Sequence, residues 1–107
     1  MDILEEYLRV KETSDYVLGE SNYYDIDNDT IHLSNNDFSN KVTLYILLHE
    51  IAHRCQMKCE GGEYTMTPAL ERDACIRALT ALKEIGHITP RVIRLHEKAI
   101  KNSQNVT

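Results

Sequence analysis

Between Val42 and Cys55 the chain is apolar on nearly every side of a helix, with Leu44, Tyr45, Ile46, Leu47, Leu48, Ile51 and Ala52 between those ends. Such a segment has no solvent face, so it is expected at the centre of whatever fold contains it. Set into it is His49-Glu50-Ile51-Ala52-His53. Burying two imidazoles and a carboxylate is costly unless something satisfies them. Residues four apart on a helix stand one turn above each other, so both histidines can aim a ring nitrogen at one metal ion. Glu50 lies about 100° round the helix from His49, within reach of a water beside the metal without being a ligand. Random order yields this pattern now and then, so the weight rests on its apolar setting. The plain alternative is a hydrogen-bonded histidine pair in a core. Zinc suits the site because it accepts nitrogen and oxygen ligands and tolerates an open fourth position. The pattern predicts a zinc hydrolase acting on peptide bonds, with one Zn2+ per chain.

Composition narrows the setting. A chain of 107 residues is expected to form one domain, residues 1–107, around a single modest core. No apolar run approaches the roughly 20 residues that cross a bilayer, so no membrane partner is expected. The start, Met1-Asp2-Ile3-Leu4-Glu5-Glu6, is acidic and unlike a secretory signal. Three cysteines, Cys55, Cys59 and Cys75, are an odd number, which favours free thiols and a reducing, cytoplasmic setting. The formal net charge of -5 argues against nucleic acid as a partner. Arg91, Arg94, Lys98 and Lys101 are interrupted by Glu97 and read as a solvated helix face.

Along the chain, residues 2–12 place Ile3, Leu4, Tyr7 and Leu8 on one face of a short amphipathic helix. Gly19 and Ser21-Asn22 break the pattern. Residues 23–26 and 30–33 flank Asp27-Asn28-Asp29 as a β-hairpin, with Ile31 and Leu33 on one face of its second strand. Ser39 or Asn40 caps the motif helix, which should run from about residue 40 to 58. Thr67-Pro68 opens a third helix ending at Gly86, and Thr89-Pro90 opens a last one to about residue 102. The order is α+β: helix, hairpin, motif helix, helix, helix.

A catalytic zinc takes three protein ligands. After His53 the candidates are Glu60, Glu63, Glu71, Asp73 and His87. Positions 71, 75, 78, 82 and 85 are Glu, Cys, Ala, Leu and Ile, so Glu71 heads an apolar stripe and points inward. Asp73 falls on a more polar side, where it can pair with Arg77. Glu60 and Glu63 flank the Gly61-Gly62 pair, a poor place to hold metal geometry. Glu71 is therefore the expected third ligand; the alternative is a carboxylate favoured only by the helix dipole. A structural His-His-Cys-Cys site is the rival reading. Cys55, about 200° round from His53, faces the wrong way for it, and Cys59 could join only if the helix breaks. Cys75 reads as a small core residue.

His49-Glu50-Ile51-Ala52-His53 followed by Glu71 on a second helix resembles a minimal gluzincin metallopeptidase. Glu71-Arg72-Asp73-Ala74, with Leu79 and Leu82 beyond, is similar to the glutamate helix of ImmA/IrrE-type peptidases, where a second acidic residue and an alanine keep the same register. A hairpin ahead of the motif helix fits the small sheet of a zincin-like core. The resemblance spans residues 23–86. In size the chain is similar to stand-alone minigluzincins and phage-encoded metallopeptidase-like proteins. It departs from larger gluzincins in having Cys75 where an aspartate often supports a histidine, and in lacking a subdomain that closes the cleft.

The expected chemistry is a zinc held by His49, His53 and Glu71, with Glu50 as general base and then general acid. The resemblance implies a peptide or protein substrate lying extended beside the strand at residues 30–33, as an added strand. Tyr64, between the two ligand helices, is the first choice for an oxyanion donor, against the plainer role of anchoring its loop. His96 shares a helix face with Val92 and Ala99 and reads as a hydrogen-bonded core histidine. His87 reads as a loop residue, and His32 as a surface strand residue or part of a substrate groove. A reading of another class is a zincin-fold module that docks on a protein partner with little or no hydrolysis. The small size motivates it, and Glu50 counts against it, because docking needs no general base.

Overall fold

Apolar residues crowded into one segment end up on a helix walled in by every other element. The computed structural model describes residues 2–59 and 67–104. In chain order these form α1 (Ile3–Thr13), β1 (Val17–Leu18), β2 (Tyr23–Asp25), β3 (Thr30–Leu33), α2 (Lys41–Arg54), a π-helical turn (Cys55–Cys59), α3 (Pro68–Glu84) and α4 (Pro90–Gln104). Among the described residues this is a compact α+β fold of four helices and one three-stranded mixed sheet. None of these helices is long and apolar enough to cross a membrane.

Local chemistry sets the helix ends. The Asn40 side-chain oxygen accepts from the backbone N–H groups of Val42 (2.9 Å) and Thr43 (3.3 Å), which starts α2. Thr67 caps α3 by accepting from Leu70 N–H at 3.2 Å, and Thr89 caps α4 by accepting from Val92 N–H at 3.3 Å. In both cases proline fills the first helical position, where a missing N–H costs nothing. Gly86 ends α3 with φ 78, while His87 N–H donates to Leu82 C=O at 3.1 Å. A side chain there would have to enter the left-handed region, which glycine does freely.

α2 packs against α3, α1, α4 and the sheet. Leu47, Leu48, Ile51 and Ala52 are wholly buried, as are Ile31 and Leu33 beneath β3 and Ala78 and Leu82 on α3. α1 differs from the sequence reading. Tyr7 and Val10 are buried, but Leu8 is 61% exposed, and Glu6 occupies the inward face in its place. Glu6 is admitted because it meets a buried cation.

The sheet order is β1-β3-β2, with β1 parallel and β2 antiparallel to β3. β1 was not expected. It pairs Val17 with His32 and Leu18 with Leu33, and Gly19 N–H donates to Leu33 C=O at 2.8 Å. β3 is thus flanked by β2 along its length and by β1 at His32 and Leu33. The edge beside residues 30–33, where the resemblance implied an added peptide, is therefore covered in its second half. The outer edge of β2 pairs with no described strand.

Arg54 is the cation that Glu6 meets. It is 2% exposed. Its guanidinium donates to Glu6 Oε1 (3.1 Å), Asp29 Oδ1 (3.0 Å) and the Asp29 carbonyl (3.0 Å), and it lies over the Tyr24 ring. Tyr24 O–H donates to the same Asp29 oxygen at 2.8 Å, Lys58 pairs with Asp29, and Arg9 pairs with Glu6 and Asp15. One buried side chain therefore ties α1 and the hairpin to the end of α2.

The hydrogen bond from Arg9 and the charges of Arg9 and Arg54 outweigh burial and hold Glu6 below its ordinary pKa of 4.5. Burial acts most strongly on Asp29 and raises it, but Lys58, Tyr24 and Arg54 together hold it below 3.8. Carboxylates depressed in the folded state lend stability above their unfolded values and lose it as pH falls through the folded ones. Denaturant midpoints should accordingly drop as pH falls from about 5 towards 3. The drop should be shallower in Glu6→Gln; an equal slope in both proteins would place the acid-sensitive group elsewhere.

Candidate metal centre

Two turns of α2 and the first turn of α3 carry the polar groups the sequence singled out. His49 and His53 lie one helical turn apart with their Nε2 atoms 3.0 Å from each other. Glu71 is in the first turn of α3 and reaches back across the helix pair. Its Oε1 is 2.8 Å from His49 Nε2, and its Oε2 is 3.2 Å from His53 Nε2. Taking one donor atom from each residue, all lie within 4.8 Å of one another, so His49, His53 and Glu71 could hold a metal ion. A tetrahedral ion with ligand bonds of about 2.0–2.1 Å needs donors about 3.3 Å apart. The Nε2–Nε2 separation of 3.0 Å is close to that, and each imidazole turns Nε2 towards one oxygen of Glu71.

His53 is held in the right tautomer by a residue the sequence reading missed. Gln56 is 2% exposed. Its Nε2 donates to the Leu70 carbonyl at 2.9 Å and to Asp73 Oδ2 at 2.8 Å. Both are acceptors, so the amide orientation follows, and Oε1 must accept from His53 Nδ1–H at 3.0 Å. With the hydrogen bond to Gln56 made through Nδ1, Nε2 is the ring atom turned to Glu71 and available to a metal. Asp73 also pairs with Arg77 at 2.7 Å, the i, i+4 contact expected from spacing. The signal for Gln56 was present: a polar residue three positions after His53, hence on its face of the helix. The π-helical turn begins at that point, a feature frequent at functional sites.

Glu50 is 6% exposed and lies beside the histidines. Burial is the strongest influence on it and raises its pKa; the charges of His49 and His53 pull it down, and that of Glu71 pushes it up again. Glu71 is held far below the carboxylate range, first by hydrogen bonds from His49 and His53 and against burial. Burial works against charge on His49, but its hydrogen bonds to Cys75 and Glu71 and the charges of Glu50 and Glu71 prevail, raising its pKa to about 10. Cys75, wholly buried, thus does more than fill space: its thiol lies against His49, where the resemblance led us to look for an aspartate. Cys55 is buried in the apolar core, away from the histidines. His96 pairs with Tyr45 O–H through Nδ1 at 2.9 Å; it is hydrogen-bonded, as the sequence suggested, but half-buried and outside the core. His32 stacks on Tyr23 with ring centroids 4.2 Å apart. Tyr64, Glu60 and Glu63 lie outside the described residues, as does the side chain of Cys59.

The centre sits on the floor of an open cleft. One depression is lined by Tyr23, Tyr24 and Met57, with the three metal-binding candidates and Glu50 at its base. A second, more apolar, is walled by Tyr45, Ile46, Leu95 and Ala99. Asn22, His49, Glu50 and Glu71 line both, so the two are continuous. Tyr24 and Met57 also line a third depression reaching Lys58. The cleft follows β2.

No protein-family model, curated protein sequence or solved structure matches the chain.

The acidic neighbours that raise the His49 pKa favour its protonated form, so a metal competes with a proton for Nε2. Apparent zinc affinity should therefore fall as pH is lowered from 8 to 6, and a profile flat over that range would show that no proton competes. Gln56→Leu should weaken binding by about 10–100-fold at constant pH while leaving one zinc per chain at saturation. Titration against a competing chelator measures both.

Proposed function

We propose that this chain is a zinc-dependent peptidase of gluzincin type, built on a zincin-like core, that hydrolyses peptide bonds in an extended substrate. The observation that carries the proposal is a buried carboxylate, Glu50, standing beside three convergent ligand atoms at the floor of an open cleft. Two imidazoles with one carboxylate favour zinc over calcium or magnesium, which take oxygen ligands. The donor set, with Gln56 on Nδ1 leaving His53 Nε2 for the ion, fits zinc. When bound, zinc supplies Lewis acidity, lowering the pKa of a coordinated water towards neutrality and polarising a carbonyl.

The chain's own groups do the rest. Glu50 takes a proton from the attacking water and later delivers it to the leaving amine. Its raised pKa suits this, since a base whose conjugate acid titrates nearer neutrality returns the proton readily. Gln56 keeps His53 from turning. The free edge of β2 offers backbone N–H and C=O groups to a peptide lying in the cleft, which gains affinity while reading little sequence. Beside the metal position the apolar depression, about 170 Å³, has room for one aliphatic side chain.

Glu50→Gln separates hydrolysis from docking. It keeps all three ligands, so one zinc per chain should remain. Cleavage of a fluorescein-labelled β-casein should fall by about 10²–10⁴-fold, the usual contribution of general acid–base catalysis. Unchanged cleavage would remove Glu50 from the mechanism. His53→Ala should lose both metal and activity.

A further inference from the structure

Asn22 lines the cleft on both sides of its midpoint, together with His49, Glu50 and Glu71, and neither the ligand set nor the general base accounts for it. It directly precedes β2, the strand whose outer edge is open. Its Oδ1 accepts from Ser34 N–H at 2.8 Å and is 3.3 Å from Ser34 Oγ. A backbone N–H can only donate, so the amide orientation is settled: the oxygen faces Ser34 and the nitrogen does not. No acceptor among the described residues takes the Nδ2 hydrogens. Ser34 follows β3, so the bond also anchors the start of β2 to the neighbouring strand.

We propose that Asn22 is a substrate-binding residue whose Nδ2 donates to a backbone carbonyl oxygen of the peptide lying along β2. The inference rests on the peptidase reading for the position of the peptide and adds a specific donor to it. A peptide in the cleft has its own carbonyl groups to satisfy once water is displaced, and an unmatched one costs more than the matched bond contributes. β2 supplies backbone partners over only three residues, Tyr23 to Asp25. Asn22 extends that ladder by one side-chain donor at the metal end. The bond is the same in the bound substrate and the transition state, so it acts on binding and leaves the chemical step alone.

Asn22→Asp tests this, because it retains the oxygen that accepts from Ser34 N–H and removes the donor. Two measurements on the full-length, zinc-loaded protein with labelled β-casein are needed. In the active protein, Asn22→Asp should raise KM about 3–10-fold with kcat within twofold, the span of one net hydrogen bond. In a Glu50→Gln background, the same change should weaken casein binding, followed by anisotropy, by the same factor. Zinc content and the unfolding midpoint should not move. Unchanged KM and affinity in Asn22→Asp overturn the proposal. So does a loss confined to Asn22→Ala and accompanied by a lower unfolding midpoint, which would leave Asn22 as a loop anchor only. If the parent binds zinc and casein but cleaves nothing, the peptidase reading fails, and weaker binding by Asn22→Asp would still support the donor.

Discussion

The C-terminal end of α2 carries three polar side chains in almost unbroken succession, His53, Arg54 and Gln56, each no more than 5% exposed. A helix buried on every side has no route by which such groups can reach water, so each must be met by another element. Glu71, on α3, meets His53. Glu6 on α1 and Asp29 on the hairpin meet Arg54. The Leu70 carbonyl and Asp73 meet Gln56. The placement of α1, the hairpin and α3 around α2 is therefore constrained by polar satisfaction as much as by apolar packing. Within the apolar core many side-chain exchanges are tolerable. At this end, removing one partner leaves another group stranded.

Two charged clusters lie back to back at this end, and they differ in a way that separates architecture from function. Around Arg54, the cations Arg9, Arg54 and Lys58 face the anions Glu6, Asp15 and Asp29, so the cluster is balanced by its own members. Around His53, Glu50 and Glu71 face two imidazoles that are neutral when they serve as ligands. That arrangement has an excess of acid, which favours the protonated form of His49 and raises its pKa. A self-balanced network is finished once folded. The other is completed only by something that brings positive charge, and a divalent cation brings the amount the two carboxylates lack.

Much of the frame was legible because local chemistry announces it. Asn40, Thr67-Pro68, Gly86 and Thr89-Pro90 act through their own backbone and side-chain bonds, and the helix ends they mark need no tertiary information. His49, His53 and Glu71 were likewise readable, since helical periodicity fixes which residues share a face. What the sequence hid depends on partners far away. Leu8 and Val10 are equally apolar, and only the demand of Arg54 for Glu6 turns α1 so that Val10 is buried and Leu8 is not. β1 is two residues long, too short for an alternating pattern to stand out. Gln56 looks like any polar helix residue until α3 provides the two acceptors that orient its amide.

The unexpected strand also changes which sheet edges stand open. A hairpin alone has two open edges, and either could receive an added strand. β1 lies along the edge of β3, using only Val17 and Leu18, and so covers that edge at His32 and Leu33. The outer edge of β2 stays open, and β2 is the strand whose residues line the depression above His49 and His53. A strand too short to add much stability by itself thus narrows the open edge of β3, while the outer edge of β2 stays open beside the candidate metal position. Arg54 completes the arrangement from within. Its bonds to Asp29 and its contact with the Tyr24 ring hold the β2–β3 hairpin to the helix that carries His53, so the open sheet edge and the candidate metal position are set by adjacent residues of one helix.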